Sequence, residues 1–347
     1  MENTFSSPWV SFCMSTYKRP HFLEKQLKTI QDQTFINFEV IISDNDPDQS
    51  ARNVIEKYND PRFKYFNNGT NLGMITSFNK SIERAGGEYI VMITDDDPVY
   101  PDMLQTLHDL YKEFPGYGVY HGGCDVIYYT PEMAEVCRAK VGTNSCLSNE
   151  YPIMHKQAYS KEQFPVQFFT NRISNYMLWS VGVVKKEVLL EIGGIPDFGT
   201  PFMGDLAYTV LTCSHSGVVV VNISLGAQVV HGANYGYVQG EDYIGFYTTA
   251  GGFHNWVANR FSSRPDWYII RPEMEKFIGR WMVSYAVSLR KLLIKKKQSI
   301  KGLNNTLKRV FKIPYISRWR WKYYISAYFP LLFEYLLALK KKYLSNS

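Results

Sequence analysis

Apolar residues over the first hundred positions follow two alternating rhythms. Short runs such as "WVSFCMST", "FEVIISDND", "RFKYFNN" and "EYIVMIT" are β-rich and stop at polar turn chemistry. Between them, "HFLEKQLKTIQDQ" sets Phe22, Leu23, Leu27 and Ile30 on one helical face. "SARNVIEKYND" and "MITSFNKSIERAGG" read as further helices, the second with a glycine stop. Strands alternating with helices of this length predict an α/β domain, its mostly parallel sheet covered on both faces. Ligands of such sheets lie beyond the carboxyl ends of the strands. Three strand ends there carry polar punctuation: Thr16 to Pro20, Asp44 to Asp46, and Asp95 to Asp97.

Three adjacent carboxylates need a physical reason. A helix start explains one or two of them, with Pro101 and Asp102 suiting a first turn. It does not explain all three, because like charges repel and are costly to ionise near low dielectric unless a cation shares the site. Carboxylate oxygens suit Mg²⁺ or Mn²⁺, which commonly take one or two of them and complete their shell with phosphate. Pro98 biases Asp97 towards extended backbone and keeps the acidic run out of the following helix. Asp44 admits two readings. As an acceptor only, it can take N3–H of uracil or thymine, or ribose hydroxyls, but finds no N3–H on cytosine. It can equally close the strand in an Asx-turn.

The stretches "VSFCMSTYKRPHFLEKQLKTIQDQTFINFEVIISDND" and "NLGMITSFNKSIERAGGEYIVMITDDDPVYPDML" resemble the family 2, GT-A-fold inverting glycosyltransferases of bacterial polysaccharide, O-antigen and capsule synthesis. The motif order matches over about residues 8–115 and more loosely to 235. The resemblance implies a GT-A fold, Rossmann-like, with a nucleotide-sugar site formed by Thr16, Tyr17, Arg19, Asp44, Asn71, Gly73, Asn79 and Asp95. It implies an Mn²⁺ or Mg²⁺ ion held by Asp96, Asp97 and His231. Thr94 stands where many members carry the first Asp of D-x-D-D, so the chain resembles T-D-D variants. That gives Asp95 to ribose and Asp96 to the metal, while Asp97 could replace either.

An inverting transfer needs a base that takes the acceptor's proton. The position implied by the family is Asp205, in "EIGGIPDFGTPFMGDLAYTVL", with Asp197 as runner-up. A helix N-cap fits Asp205 equally well. The family often has Glu-Asp here, where this chain has Gly204–Asp205. A structural His fits a strand end as readily as a metal ligand at His231. Trp179 lies where relatives contact acceptor, though a core role fits it too. The loops from Cys124 to Gln167 and from Tyr235 to Pro272 are expected to select the acceptor.

Charge then divides the chain. From Lys276 to Ser347 there are seventeen Lys and Arg against one acid, Glu334, while the net charge overall is only +6. The expectation is a catalytic domain over 1–275 and a basic, aromatic, amphipathic helical region over 276–347. Basic helices with interfacial aromatics read as membrane-surface segments. The longest apolar run, Tyr323 to Leu339, holds Pro330 and Glu334 and is short for a spanning helix of about 20 residues. A nucleic-acid surface and a solvated packing domain are the alternatives, and no nucleic-acid partner is expected.

The five cysteines include no C-x-x-C pair, and "MENTFSSPWVSF" shows no signal-peptide pattern. A cytoplasmic protein, peripheral on the inner face of the cell membrane and open to homo-oligomer formation, is the expectation. Its partners would be a UDP- or dTDP-sugar donor, a lipid-linked glycan acceptor and an anionic membrane surface. Two other classes compete. A nucleotidyltransferase acting on sugar phosphates would carry a glycine-rich basic loop, which "STYKRPHF" lacks. A non-catalytic, membrane-bound glycan-binding protein of this fold would not need Asp44, Asp95 to Asp97 and Asp205 together.

Overall fold

The computed structural model describes residues 7–128, 142–144, 151–173, 177–198, 203–231, 234 and 243–344. Strands β1 (Val10–Thr16), β2 (Phe38–Asp44), β3 (Phe63–Asn67) and β4 (Tyr89–Ile93) pair in parallel in the order β3-β2-β1-β4. Their near-continuous apolar runs follow from burial on both faces. On one face Val10, Phe12 and Met14 join Leu23, Leu27 and Ile30 of α1 (Pro20–Gln31) in a single core. Leu104 and Leu107 of α4 (Met103–Glu113) belong to the same core. Alternation sends Cys13 and Ile41 to the other face, where α3 (Met74–Arg84) packs on β1 and β2. Helix α2 (Arg52–Tyr58) precedes β3.

The second half of the sheet is mixed. Strand β8 (Gly182–Lys185) runs antiparallel to both β4 and β5 (Val119–Tyr128). Strand β9 (Val218–Val230) lies parallel to β5. The short β6 (Gly142–Asn144) and β7 (Lys156–Tyr159) pair antiparallel with β5 and β9. Helices α5 (Phe164–Phe169), α6 (Lys186–Glu191) and α7 (Gly204–Ser216) complete this unit. Cys13, Cys124 and Cys213 are buried free thiols; Cys137 and Cys146 lie outside the described residues.

Strand β9 also pairs with the segment after the acidic run. Pro98 O accepts from Ala227 N–H at 2.8 Å, and Leu225 O accepts from Tyr100 N–H at 2.9 Å. The chains come so close at Gly226 that a Cβ there would lie 2.6 Å from Pro98 O.

A helical unit is built on α8 (Tyr243–Phe261), α9 (Trp267–Lys295), α10 (Lys301–Val310), α11 (Pro314–Ser317), α12 (Arg320–Tyr328) and α13 (Pro330–Leu344). Phe277, Ile278, Met282, Val283, Ala286 and Leu293 form the buried stripe of α9. Gly279 lets the backbone of α11 approach: a Cβ would lie 2.2 Å from Tyr315 O. Packing and charge divide the chain at different places. The sheet unit ends at His231, whereas the charge change near 275 falls inside the continuous helix α9. Charge is a surface property and does not see which helices share a core. Part of this unit leaves apolar side chains in water: Tyr328, Phe329, Leu331 and Tyr335 are all more than 60% exposed. No helix among the described residues is long and apolar enough to cross a membrane.

Candidate active site

Register aligns the polar strand ends. Thr16 pairs with Asp44, and Asp44 with Asn67, while Ile93 pairs with Met14 two residues earlier. Asp95 therefore reaches Thr16, whose Oγ1 donates to Asp95 Oδ2 at 2.9 Å. Helix α1 starts at Pro20, directly after Arg19, and Lys18 before it adopts a left-handed turn with φ 55°. Arg19 is thereby aimed at the acidic run. Its Nη1 lies 3.2 Å from Asp95 Oδ1, and its Nη2 donates to Asp96 Oδ2. His231, the residue after β9, brings Nε2 to 3.1 Å from that same Oδ2. Phe22 touches both partners of Asp96: the Arg19 guanidinium lies 4.6 Å from its ring centre, and the His231 ring stacks on it at 4.6 Å.

Asp97 points elsewhere. Its Oδ1 accepts from Val229 N–H at 2.9 Å, and its Oδ2 from Thr94 Oγ1 at 2.9 Å. This carboxylate ties the acidic loop to β9. Gln26 of α1 donates to Asp97 O at 2.9 Å, and Gln33 donates to Tyr100 O at 2.7 Å. Gln26 falls among Leu23, Leu27 and Ile30 on the buried face of α1, and this polar break in an apolar stripe is the sequence signal for it. Burial pushes the Asp95 carboxyl up to about 7, against the pull of Arg19. Burial, and then the neighbouring Asp96 charge, also raise Asp97.

Asp44 is fully buried. Its Oδ1 accepts from Asp46 N–H and its Oδ2 from Tyr65 Oη, each at 2.8 Å. The Asx-turn is therefore present, and desolvation raises the carboxyl above its ordinary value. Asn71 closes its own turn by accepting from Gly73 N–H at 3.0 Å, and Gly73 takes φ +80°. Tyr17 is 40% exposed beside this edge. Asn79, expected at the nucleotide sugar, bonds to the backbone of Ile195. Its amide receives Ile195 N–H at 2.9 Å and donates to Ile195 O at 3.2 Å, so both ends hold the glycine-rich turn at Gly194.

Asp205 lies in the first turn of α7, and the helix opens one residue before it, with Met203 at the cap position. Its Oδ1 accepts from Leu206 N–H at 2.8 Å. Solvent reaches the side chain, yet crowding by surrounding protein strips enough hydration to raise its pKa. Asp197 is exposed in the loop before α7. Trp179 packs 5.4 Å from Tyr208 and 6.0 Å from Phe78, a core setting. Of the loops expected to select acceptor, residues 129–141, 145–150 and 235–242 lie outside the described residues.

Among the described residues, no three His, Cys, Asp or Glu side chains converge as a ready metal cage. Asp96 Oδ2 and His231 Nε2 form a two-ligand edge of 3.1 Å. Ligands about 2.1 Å from an octahedral ion are spaced by roughly that distance. A carboxylate with an imidazole suits Mn²⁺ better than Mg²⁺. The spacing of these two residues fits two ligands of such an ion.

Comparison with known proteins bears on this arrangement. The family model "Glycosyl transferase family 2" matches residues 11–168. A GalNAc(5)-diNAcBac-PP-undecaprenol beta-1,3-glucosyltransferase of Campylobacter jejuni is 32% identical over 120 residues, covering 34% of this chain and 38% of that protein. The chain thus spans under two-fifths of the length of that curated relative. Among solved structures, S. aureus TarS 1-349 in complex with UDP-GlcNAc superposes with a TM-score of 0.51 at 14% identity, covering 87% of this chain and 91% of that one. A mannosyltransferase of Pyrobaculum calidifontis, in complex with GDP-Man and Mn2+, gives a TM-score of 0.50 at 16% identity, covering 99% and 88%. The fold is the GT-A type, with a helical region after it. Residues 11–168, a little under half of the chain, are thus similar to glycosyl transferase family 2.

Proposed function

We propose that this protein is an inverting, metal-dependent hexosyltransferase. It moves one sugar from a UDP- or dTDP-sugar to a hydroxyl of a lipid-linked or cell-surface glycan. The observation that carries this reading is the convergence of Arg19 and His231 on Asp96, at the strand edge that also presents Asp44 and Asp95. The C. jejuni relative, which by its name acts on an undecaprenol-linked glycan, supports the lipid-linked acceptor. The TarS complex supports a uridine donor, and the mannosyltransferase complex supports Mn²⁺.

The residues divide the work. Asp44 and Asp95 accept hydrogen bonds from the nucleoside, and the turn from Thr16 to Arg19 lies along the diphosphate. Asn71 and Gly73 shape the loop beside the base. Asp96 and His231 would hold Mn²⁺ or Mg²⁺, and the ion would supply positive charge to offset the negative charge building on the departing nucleotide diphosphate. Asp97 keeps the acidic loop on β9. Asp205 accepts the proton of the acceptor hydroxyl as that oxygen attacks the anomeric carbon from the face opposite the leaving diphosphate. The basic helical unit, with its exposed Tyr328, Phe329 and Leu331, rests on the cytoplasmic face of the membrane and keeps the site near its acceptor.

The test is release of free UDP or dTDP from nucleotide sugars, with and without an undecaprenyl-diphosphate-linked glycan extract. Acceptor-dependent release is expected. Formation of nucleotide sugar from nucleoside triphosphate and sugar phosphate, with pyrophosphate released, would instead make the protein a nucleotidyltransferase.

A further inference from the structure

The oxygen best placed to meet a metal ion is already engaged. Asp96 Oδ2 accepts from Arg19 Nη2 and lies 3.1 Å from His231 Nε2. A dication drawn to that oxygen would sit against the guanidinium, and two cations a few ångströms apart in a partly buried site repel strongly. The Arg19 side chain is only 24% exposed, so solvent screens the repulsion incompletely. Metal and Arg19 therefore compete for one lone-pair region.

Arg19 also has somewhere to go. Its Nε is buried and has no hydrogen-bond partner, so the guanidinium is not fully used where it stands. It lies over the Phe22 ring, an apolar plate across which a planar cation can tilt without losing its contact. It occupies the cap position of α1 and makes no capping bond with its side chain. Pro20 has no N–H, and the N–H groups of Phe22 and Leu23 donate to Arg19 O, so the guanidinium fork itself is the group that matches a bidentate oxyanion at this helix start.

We propose that Arg19 is a displaceable counter-ion. In the free enzyme it neutralises Asp95 and Asp96; when the donor arrives, it moves onto the diphosphate and releases Asp96 to the metal ion. This rests on the donor-site reading above. Metal and nucleotide then bind as a coupled pair: the metal alone meets a site closed by Arg19, and the diphosphate opens it. The coupling is reciprocal.

The experiment is a titration of the full-length protein with Mn²⁺, read by electron paramagnetic resonance of free Mn²⁺, alone and with saturating UDP or UMP. Arg19→Gln should bind Mn²⁺ alone about tenfold more tightly than the native protein. It should bind UDP more weakly, and the factor by which UDP tightens Mn²⁺ should shrink by at least about tenfold. UMP, with one phosphate, should tighten Mn²⁺ little in either protein. Arg19→Lys keeps a charge without the fork, so its affinity for Mn²⁺ alone should fall between the two; it carries the test should the Gln variant fail to fold. Unchanged Mn²⁺ affinity in Arg19→Gln, with Mn²⁺–UDP still bound, would overturn the exchange and leave Arg19 a fixed structural partner. Native UDP affinity that is the same in EDTA as in Mn²⁺ would also overturn it, making Arg19 the resident cation. Absence of any UDP binding would sink the donor-site reading and this inference together.

Discussion

His231 Nε2 and Asp96 Oδ2 are 3.1 Å apart although 135 positions separate them in the chain. The approach is fixed by backbone. Strand β9 exchanges hydrogen bonds with the segment from Asp97 to Tyr100, so its next residue arrives at the acidic run. If the pair shares a metal ion, His231→Ala should weaken Mn²⁺ binding in the presence of UDP by about tenfold or more while leaving UDP binding in EDTA unchanged. Asp96→Ala should abolish transfer. Isothermal titration and UDP-release assays read both, and full activity of the native protein in excess EDTA would refute the metal role.

Asp97 should behave unlike its neighbour. Its two oxygens hold Val229 N–H and the Thr94 hydroxyl in a buried loop. Asp97→Ala leaves that N–H unsatisfied and should cost about 2 kcal/mol of stability. Asp97→Asn can still accept from Val229, and its NH₂ can donate to a rotated Thr94 hydroxyl, so it should lose little. Denaturant unfolding of the two variants beside Asp96→Ala separates a positioning carboxylate from a ligand.

This division of labour among three adjacent Asp residues was not legible in the sequence. The run of carboxylates, its place at a strand end and the β1–β4 framework were legible, because hydrophobic period and turn chemistry are local signals. Which way each Asp points depends on β9, more than a hundred residues on, and on Gln26 of α1 and Gln33 just after that helix. Pairing across such distances leaves no periodic trace. The bond between Asn79 and Ile195, 116 positions apart, shows the same limit, since no local pattern announces it. The mixed half of the sheet was also hidden, since β8 and β9 give apolar runs that do not declare their direction.

Asp44 gives a prediction about the base. UDP or dTDP should raise the thermal midpoint and CDP should not, because cytosine has no N3–H for the carboxylate to accept. Tyr65→Phe removes the hydroxyl that donates to Asp44 Oδ2 and should change the preference between UDP and CDP. Equal protection by UDP and CDP would confine Asp44 to its turn.

The exposed apolar residues after Tyr323 predict a membrane contact that point variants can probe in the intact chain. Phe329 and Leu331 are 62% and 86% exposed, and basic residues flank their apolar run at Lys322 and Lys340. Phe329→Ser with Leu331→Ser should lower partition into anionic vesicles by about tenfold or more, since burying each side chain is worth roughly 1.5–3 kcal/mol. High salt should release part of the native protein by screening the basic residues. Unaltered co-sedimentation of the double variant would place the contact elsewhere.

Asp205 supplies the pH prediction. A base works only when deprotonated, so transfer should fall as pH drops through the pKa of Asp205. Crowding raises that pKa, so the acid limb of kcat/KM should lie above the ordinary aspartate range near 3.9. Asp205→Asn keeps an oxygen to accept from Leu206 N–H, so α7 should retain its first turn and the thermal midpoint should change little. Transfer should nevertheless fall by about a hundredfold or more, and the acid limb assigned to Asp205 should vanish from the residual rate. Nucleotide-sugar binding should survive, because the proton acceptor serves the acceptor hydroxyl and not the donor. Asp197→Asn is the control, since that residue also lies in the loop before α7. If Asp197→Asn lost transfer and Asp205→Asn kept it together with its acid limb, the base would be Asp197, and Asp205 would be left with the helix N–H it already accepts.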